Sequence, residues 1–143
     1  TPVVLVLFGD HKPWMGNGGS VYEEMGIDFD TSTLAGFRNY YATPYLIWAN
    51  RAAKEVLGAD FTGDGGDFSP CFLMTRLFDA CGWAGPGYMQ LSRAMRDISP
   101  PLHTNGLFLH DGVLTSVLSD TDRSFYRSWL AVQYYREHVA AYS

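Results

Sequence analysis

The first apolar run, Val3 to Phe8, is unbroken, rich in β-branched residues and ends in Gly9-Asp10-His11. That pattern predicts a strand covered on both faces in a parallel sheet, with a turn at its carboxyl end. A second run, Pro44 to Ala49, predicts another buried strand. Asn50 then caps a helix from Arg51 to Leu57 that stops at Gly58. Between the two strands, residues 12–43 read as irregular, dense in glycine and aromatics, with one helical turn from Val21 to Met25 ending at Gly26. A connection that long is as a rule functional or mobile.

The second half alternates in the same way. Residues 62–67 form a flexible, glycine-rich loop, and Ser69-Pro70 opens a helix that ends at Gly82. A further helix covers Tyr88 to Asp97 and is ended by Pro100-Pro101. Leu107–His110 and Val113–Ser116 flank Asp111-Gly112, the signature of a two-residue hairpin. Ser119 or Asp120 caps a terminal helix reaching about Ala141, in which Phe125, Tyr126, Trp129, Leu130 and Val132 recur at helical spacing as core. There are no internal repeats. Strands alternating with helices make the class α/β, in a single unit spanning residues 1–143.

Composition narrows the function classes. With 143 residues, 47% hydrophobic, the chain has enough apolar surface for a core. A net charge of −5 gives no basic field for nucleic acid or an anionic membrane, and no apolar run has the length of a membrane span, so the piece itself is expected to be soluble. Cys71 and Cys81 fall within one expected helix, about 15 Å apart and too far for a disulfide, and read as buried apolar residues.

The residues that carry chemistry are Asp10 and His11. Ligands of open α/β sheets bind beyond the carboxyl ends of strands, where these two lie. A carboxylate oxygen and an imidazole nitrogen suit zinc, or manganese with more oxygen donors. Taken alone, Gly-Asp-His is weak evidence and reads first as an ordinary strand-end turn. The wider stretch Val6-Leu7-Phe8-Gly9-Asp10-His11-Lys12-Pro13-Trp14 resembles the C-terminal metal motif of the lipoteichoic-acid-synthase-like sulfatase family, within the alkaline phosphatase superfamily. Ser20–Gly26 and Tyr41–Asn50 resemble later segments of that family in the same order. The Ser69–Gly82 helix, the Asp111-Gly112 turn and the Gln133-Tyr134-Tyr135 helix resemble its tail.

The resemblance implies the C-terminal portion of an alkaline-phosphatase-like sheet, mainly parallel, flanked by helices and finished by a small hairpin. It implies a parent enzyme that transfers phosphoglycerol from a lipid or glycan donor, anchored in a membrane with its catalytic part outside the cytoplasm. Asp10 and His11 would supply part of the site for a divalent ion, usually manganese, with zinc, magnesium or calcium as alternatives. The family's nucleophile, its further metal ligands and its substrate-binding His and Arg come from a more N-terminal region. The chain alone is therefore expected to hold no tightly bound metal and to be inactive without that region as partner. A metal-dependent sulfatase or phosphatase fits the same residues. A reading of another class is a non-catalytic glycan-binding module, given that 15% of residues are aromatic.

Lys12, Trp14 and Arg38 are further substrate-binding candidates: a loop cation, a pocket wall together with Tyr40 and Tyr41, and a bidentate phosphate ligand. Each also reads as ordinary surface. The aspartates at 60, 64 and 67 read as a solvated turn, since Cys71 stands where a calcium loop needs glutamate. His103, His110 and His138 show no ligand spacing.

Overall fold

A computed structural model describes residues 1–103 and 106–139. Strand β1 (Val4–Phe8) pairs with β2 (Tyr45–Ala49) in an antiparallel ribbon, Val4 opposite Ala49 and Phe8 opposite Tyr45. Alternation along each strand gives the ribbon two unlike faces. Val4, Val6, Ile47 and Ala49 are covered, whereas Leu5, Leu7, Leu46 and Trp48 are between 44% and 52% exposed. The mixed α/β class stands, with six α-helices and two small antiparallel sheets among the described residues. The parallel order expected for the first strand is not formed by these residues, and one face of β1 is open rather than covered. An unbroken apolar run specifies a strand without specifying its partner, or how many of its faces are covered.

The chain divides into two compact units, Thr1–Val56 and the described residues from Leu57 onward. In the first, a 3₁₀ turn (Asn17–Gly19) leads into α1 (Ser20–Glu24). The stop at Gly26 is formed as expected: Gly26 adopts φ 72°, and Ile27 N–H donates to Tyr22 O at 2.9 Å. Residues 12–43 are less irregular than the sequence suggests, because α2 (Leu34–Tyr41) lies within them. Thr33 caps it, its hydroxyl oxygen accepting from Gly36 N–H at 2.9 Å. Phe37 is buried, and a Cβ on Gly36 would sit 2.1 Å from Asp30 O, so only glycine lets the helix approach that turn. Asn50 caps α3 (Arg51–Leu57) as its position predicts, accepting from Ala53 N–H at 2.9 Å.

In the second unit, the helix expected from Ser69 begins as a 3₁₀ turn (Pro70–Phe72) and continues as α4 (Leu73–Ala80). Ser69 does not cap it; its hydroxyl donates to Leu102 O and accepts from Leu102 N–H. The turn points Phe72 inward and leaves Cys71 at the surface, so of the two cysteines only Cys81 is buried. Helix α5 (Gly87–Ile98) is followed by a three-stranded sheet, β3 (Leu102–His103), β4 (Leu107–His110) and β5 (Val113–Thr115). Asp111 and Gly112 both take positive φ, the conformation their two-residue turn requires. Ser119 caps α6 (Asp120–His138), accepting from Asp122 N–H. The expected end near Ala141 lies outside the described residues.

Phe72, Met95 and Trp129 form the core of this unit, with Phe68, Leu91, Ile98, Leu102, Phe125 and Tyr126 packed against it. Leu130 and Val132, expected in that core, are exposed, because they lie off the stripe that runs through Phe125, Tyr126 and Trp129. Asp79 on α4 ties that helix to α5: its carboxylate meets Arg93 Nε at 2.6 Å and an Arg96 guanidinium nitrogen at 2.7 Å. Arg96 also donates to the buried Thr75 hydroxyl at 3.0 Å.

Partial burial acts to raise the Asp79 pKa, but the hydrogen bonds and charges of Arg96 and Arg93 outweigh it and hold the carboxyl below its usual value. A lowered folded-state pKa means that the contribution is complete above the unfolded value, about 3.9, and is lost as pH falls through the folded one. Asp79→Asn is expected to cost about 2–3 kcal/mol at neutral pH. It is also expected to flatten the acid limb of stability below about pH 4. Urea unfolding at pH 7 and pH 3 checks this: an equal loss at both values would mean that the pair does not carry the effect.

Candidate functional site

The carboxyl end of β1 is fixed from the opposite strand. Gly9 N–H donates to Pro44 O at 3.0 Å, and the Thr43 hydroxyl donates to Gly9 O at 2.7 Å. A Cβ on Gly9 would meet Thr43 Cβ at 3.0 Å, which gives a steric reason for glycine before Asp10. The next two residues leave the ribbon and stand in solvent, their side chains 80% and 78% exposed for Asp10 and His11.

Local hydrogen bonds orient both groups. His11 backbone N–H donates to Asp10 Oδ1 at 2.8 Å, which turns Oδ2 toward the imidazole. His11 Nδ1 lies 3.0 Å from Lys12 O. A carbonyl only accepts, so Nδ1 carries the hydrogen and Nε2 of the neutral ring presents its lone pair. Nε2 is 3.5 Å from Asp10 Oδ2. Two donors at about 2.1 Å lie about 3.4 Å apart on a tetrahedral ion such as zinc and about 3.0 Å apart on an octahedral one, so the pair matches the first and would close slightly on octahedral manganese. A backbone carbonyl on the far ring nitrogen is the support that metal-binding histidines use. Among the described residues no group of three or more His, Cys, Asp or Glu is gathered.

Lys12 turns away from the pair. Its ammonium donates to Asn39 O at 2.5 Å and Ala42 O at 2.8 Å, capping the carbonyl end of α2 where a cation is favoured. The lysine weighed as an anion ligand or an ordinary loop residue thus staples the Asp10–Trp14 loop to α2. Tyr22 adds a second tie, its hydroxyl donating to Pro13 O at 2.6 Å.

Between loop and helix opens a cleft of about 350 Å³, walled by Trp14, Tyr22, Phe29, Tyr40 and Tyr41, with Asp10, His11 and Lys12 also lining it. The rings brace one another: Tyr22 to Phe29 at 4.9 Å, Phe29 to Tyr40 at 5.5 Å, Tyr40 to Tyr41 at 4.7 Å between centroids. The structure thus brings Asp10, His11, Lys12 and Trp14 together, along with Tyr40 and Tyr41. Arg38 is exposed on α2 and does not line the cleft. Tyr22 and Phe29 join the wall without having been singled out by sequence. Their spacing across a loop carries no period, and only the aromatic density of residues 12–43 pointed there.

The remaining candidates stay local. His110 Nδ1 lies 2.9 Å from Ile98 O, and His138 stacks on Tyr134 with centroids 4.3 Å apart. Asp64 accepts from Gly66 N–H in its own turn. Among the described residues no helix is long and apolar enough to cross a membrane. Comparison of the chain with protein-family models, curated proteins and solved structures finds no match.

Proposed function

We propose that this chain is the C-terminal part of the catalytic region of a sulfatase-type phosphoglycerol transferase in the alkaline phosphatase superfamily, and that Asp10 and His11 supply two ligands of its divalent metal, manganese in the first instance. The observation that carries the reading is the geometry of that pair: two exposed donors at a strand end, converging at 3.5 Å, with the imidazole held in the tautomer that offers Nε2. The open apolar face of the β1–β2 ribbon supports the fold half of the reading, since it is a surface that further elements of a larger sheet domain would cover. When bound, a divalent ion supplies Lewis-acid polarisation of a phosphoryl oxygen and compensates its charge. The chain's own residues hold and orient: Asp10 and His11 would fix the metal-side geometry, Lys12 keeps their loop against α2, and Tyr22 ties it to α1. Nucleophile and remaining ligands come from the N-terminal region, in a protein anchored in a membrane and acting outside the cytoplasm on a cell-envelope lipid or glycan.

The pair is testable on the chain alone. Manganese titrated into isotope-labelled protein should bind weakly, because two donors leave the rest of the shell to water. It should broaden the backbone resonances of Asp10 to Lys12 and the His11 ring first. In Asp10→Ala and His11→Ala that selective broadening should vanish. Broadening centred on the aspartates at 60, 64 and 67, or unaltered in both variants, would refute the assignment.

A further inference from the structure

We infer that the aromatic cleft beside Asp10 and His11 seats a pyranose ring, so that the substrate of this site carries a glycan. The inference rests on the proposed function only for which molecule the ring belongs to, namely the one whose phosphoryl end lies at Asp10 and His11. Ring binding itself needs only the cleft.

Three properties of the cleft select this occupant. Its walls are aromatic faces and edges, and a face carries negative potential that attracts the weakly positive C–H groups lining one side of a sugar ring. In the metal-free chain its rim also offers acceptors, since Asp10 Oδ2 and His11 Nε2 can then receive hydroxyl hydrogens. The one ammonium in the lining, on Lys12, is committed to two carbonyls of α2. An anionic group therefore finds no cation in the walls, and an acyl chain would strip water from the rim groups without replacing their hydrogen bonds. A small quaternary ammonium would leave most of the 350 Å³ to water. That volume falls at the lower end of the range for small-molecule sites, about 300–1,000 Å³, and suits one or two sugar rings.

The walls are also ordered in advance. Tyr22, Phe29, Tyr40 and Tyr41 touch in sequence, and the loop bearing Trp14 is held by Lys12 and Tyr22. A platform fixed before binding loses little freedom on binding. Trp14 lines the cleft and is 68% exposed, so its indole is accessible to a ring seated there.

The experiment titrates the purified chain in chelator with maltose, cellobiose, lactose, glycerol and choline, following the Trp14 indole and Tyr40 resonances by NMR. At least one disaccharide should bind saturably in the millimolar range and shift both, while glycerol and choline do not. Trp14→Ala should weaken that binding about tenfold, and Trp14→Phe should restore part of it. Because Trp14 is exposed, its removal should leave the thermal melt unchanged. Absence of saturable binding by every disaccharide, binding indifferent to Trp14→Ala, or choline binding tighter than the sugars would each overturn the inference. Manganese broadening at His11 is read separately, so either result can fail without the other.

Discussion

Replacing Asp10 or His11 by alanine in the complete protein should lower turnover by about a thousandfold or more while leaving the fold intact. The two side chains stand in solvent, so neither contributes to a core. Their hydrogen bonds are to immediate neighbours, His11 N–H and Lys12 O, and truncation exposes those groups to water. On the proposed assignment, what is lost is one ligand and the orientation of the other: without the carboxylate Nε2 has no companion at 3.5 Å, and without the imidazole Oδ2 has none. In the proposed phosphoryl transfer, charge compensation would then fail in the transition state, where it matters most. Asp10→Asn separates charge from shape, since it keeps an oxygen to accept from His11 N–H and should still lose most of the rate. The readout is kcat on a phosphodiester donor, with circular dichroism melts alongside. Near-normal turnover in any of the three variants would reduce Gly-Asp-His to a turn. On the proposed function this chain by itself should turn over nothing, and metal-dependent turnover by it alone would overturn that reading.

Trp129→Ala should destabilise the second unit by about 3–5 kcal/mol, against a total stability for a domain of about 5–15 kcal/mol. Trp129 is 2% exposed, packs on Phe72 at 5.6 Å between centroids and stacks near Tyr126 at 6.2 Å. Its indole N–H also donates to the buried Ser92 hydroxyl at 3.1 Å, so truncation leaves a cavity and removes a partner from a desolvated group. Trp129→Phe fills much of the space and loses only the hydrogen bond, and should cost about 1–3 kcal/mol. Urea unfolding followed by far-ultraviolet circular dichroism measures both. A loss of under about 1 kcal/mol for the alanine variant would mean that the α5–α6 packing is not the core of this unit.

Much of the candidate site was legible because it is local. Asp10 and His11 follow a strand signal directly, and their mutual orientation needs only bonds to each other and to Lys12. The role of Lys12 was not legible, since its partners lie 27 and 30 residues away, on a helix that the sequence hides. Helix α2 carries Gly36 in its middle and aromatics that read equally well as a loop, and its carbonyl end is completed from outside by that lysine. For Trp14, Tyr40 and Tyr41 the sequence left a pocket wall and ordinary packing both open, and folding placed them with Tyr22 and Phe29 around the cleft.

By itself the sequence determined what near neighbours determine. It set the ends of β1 and β2, the caps at Asn50 and Ser119, the stop at Gly26 and the Asp111-Gly112 turn. Each depends on backbone sterics or on a hydrogen bond across three or four residues. Tertiary structure decided the antiparallel pairing of β1 with β2 and the open face carrying Leu5, Leu7, Leu46 and Trp48. It also decided the exposure of Leu130 and Val132 and the Asp79–Arg93–Arg96 tie between helices. Those outcomes depend on which distant segment arrives to pair or to pack, and an apolar or charged residue carries the same local signal whichever partner it meets.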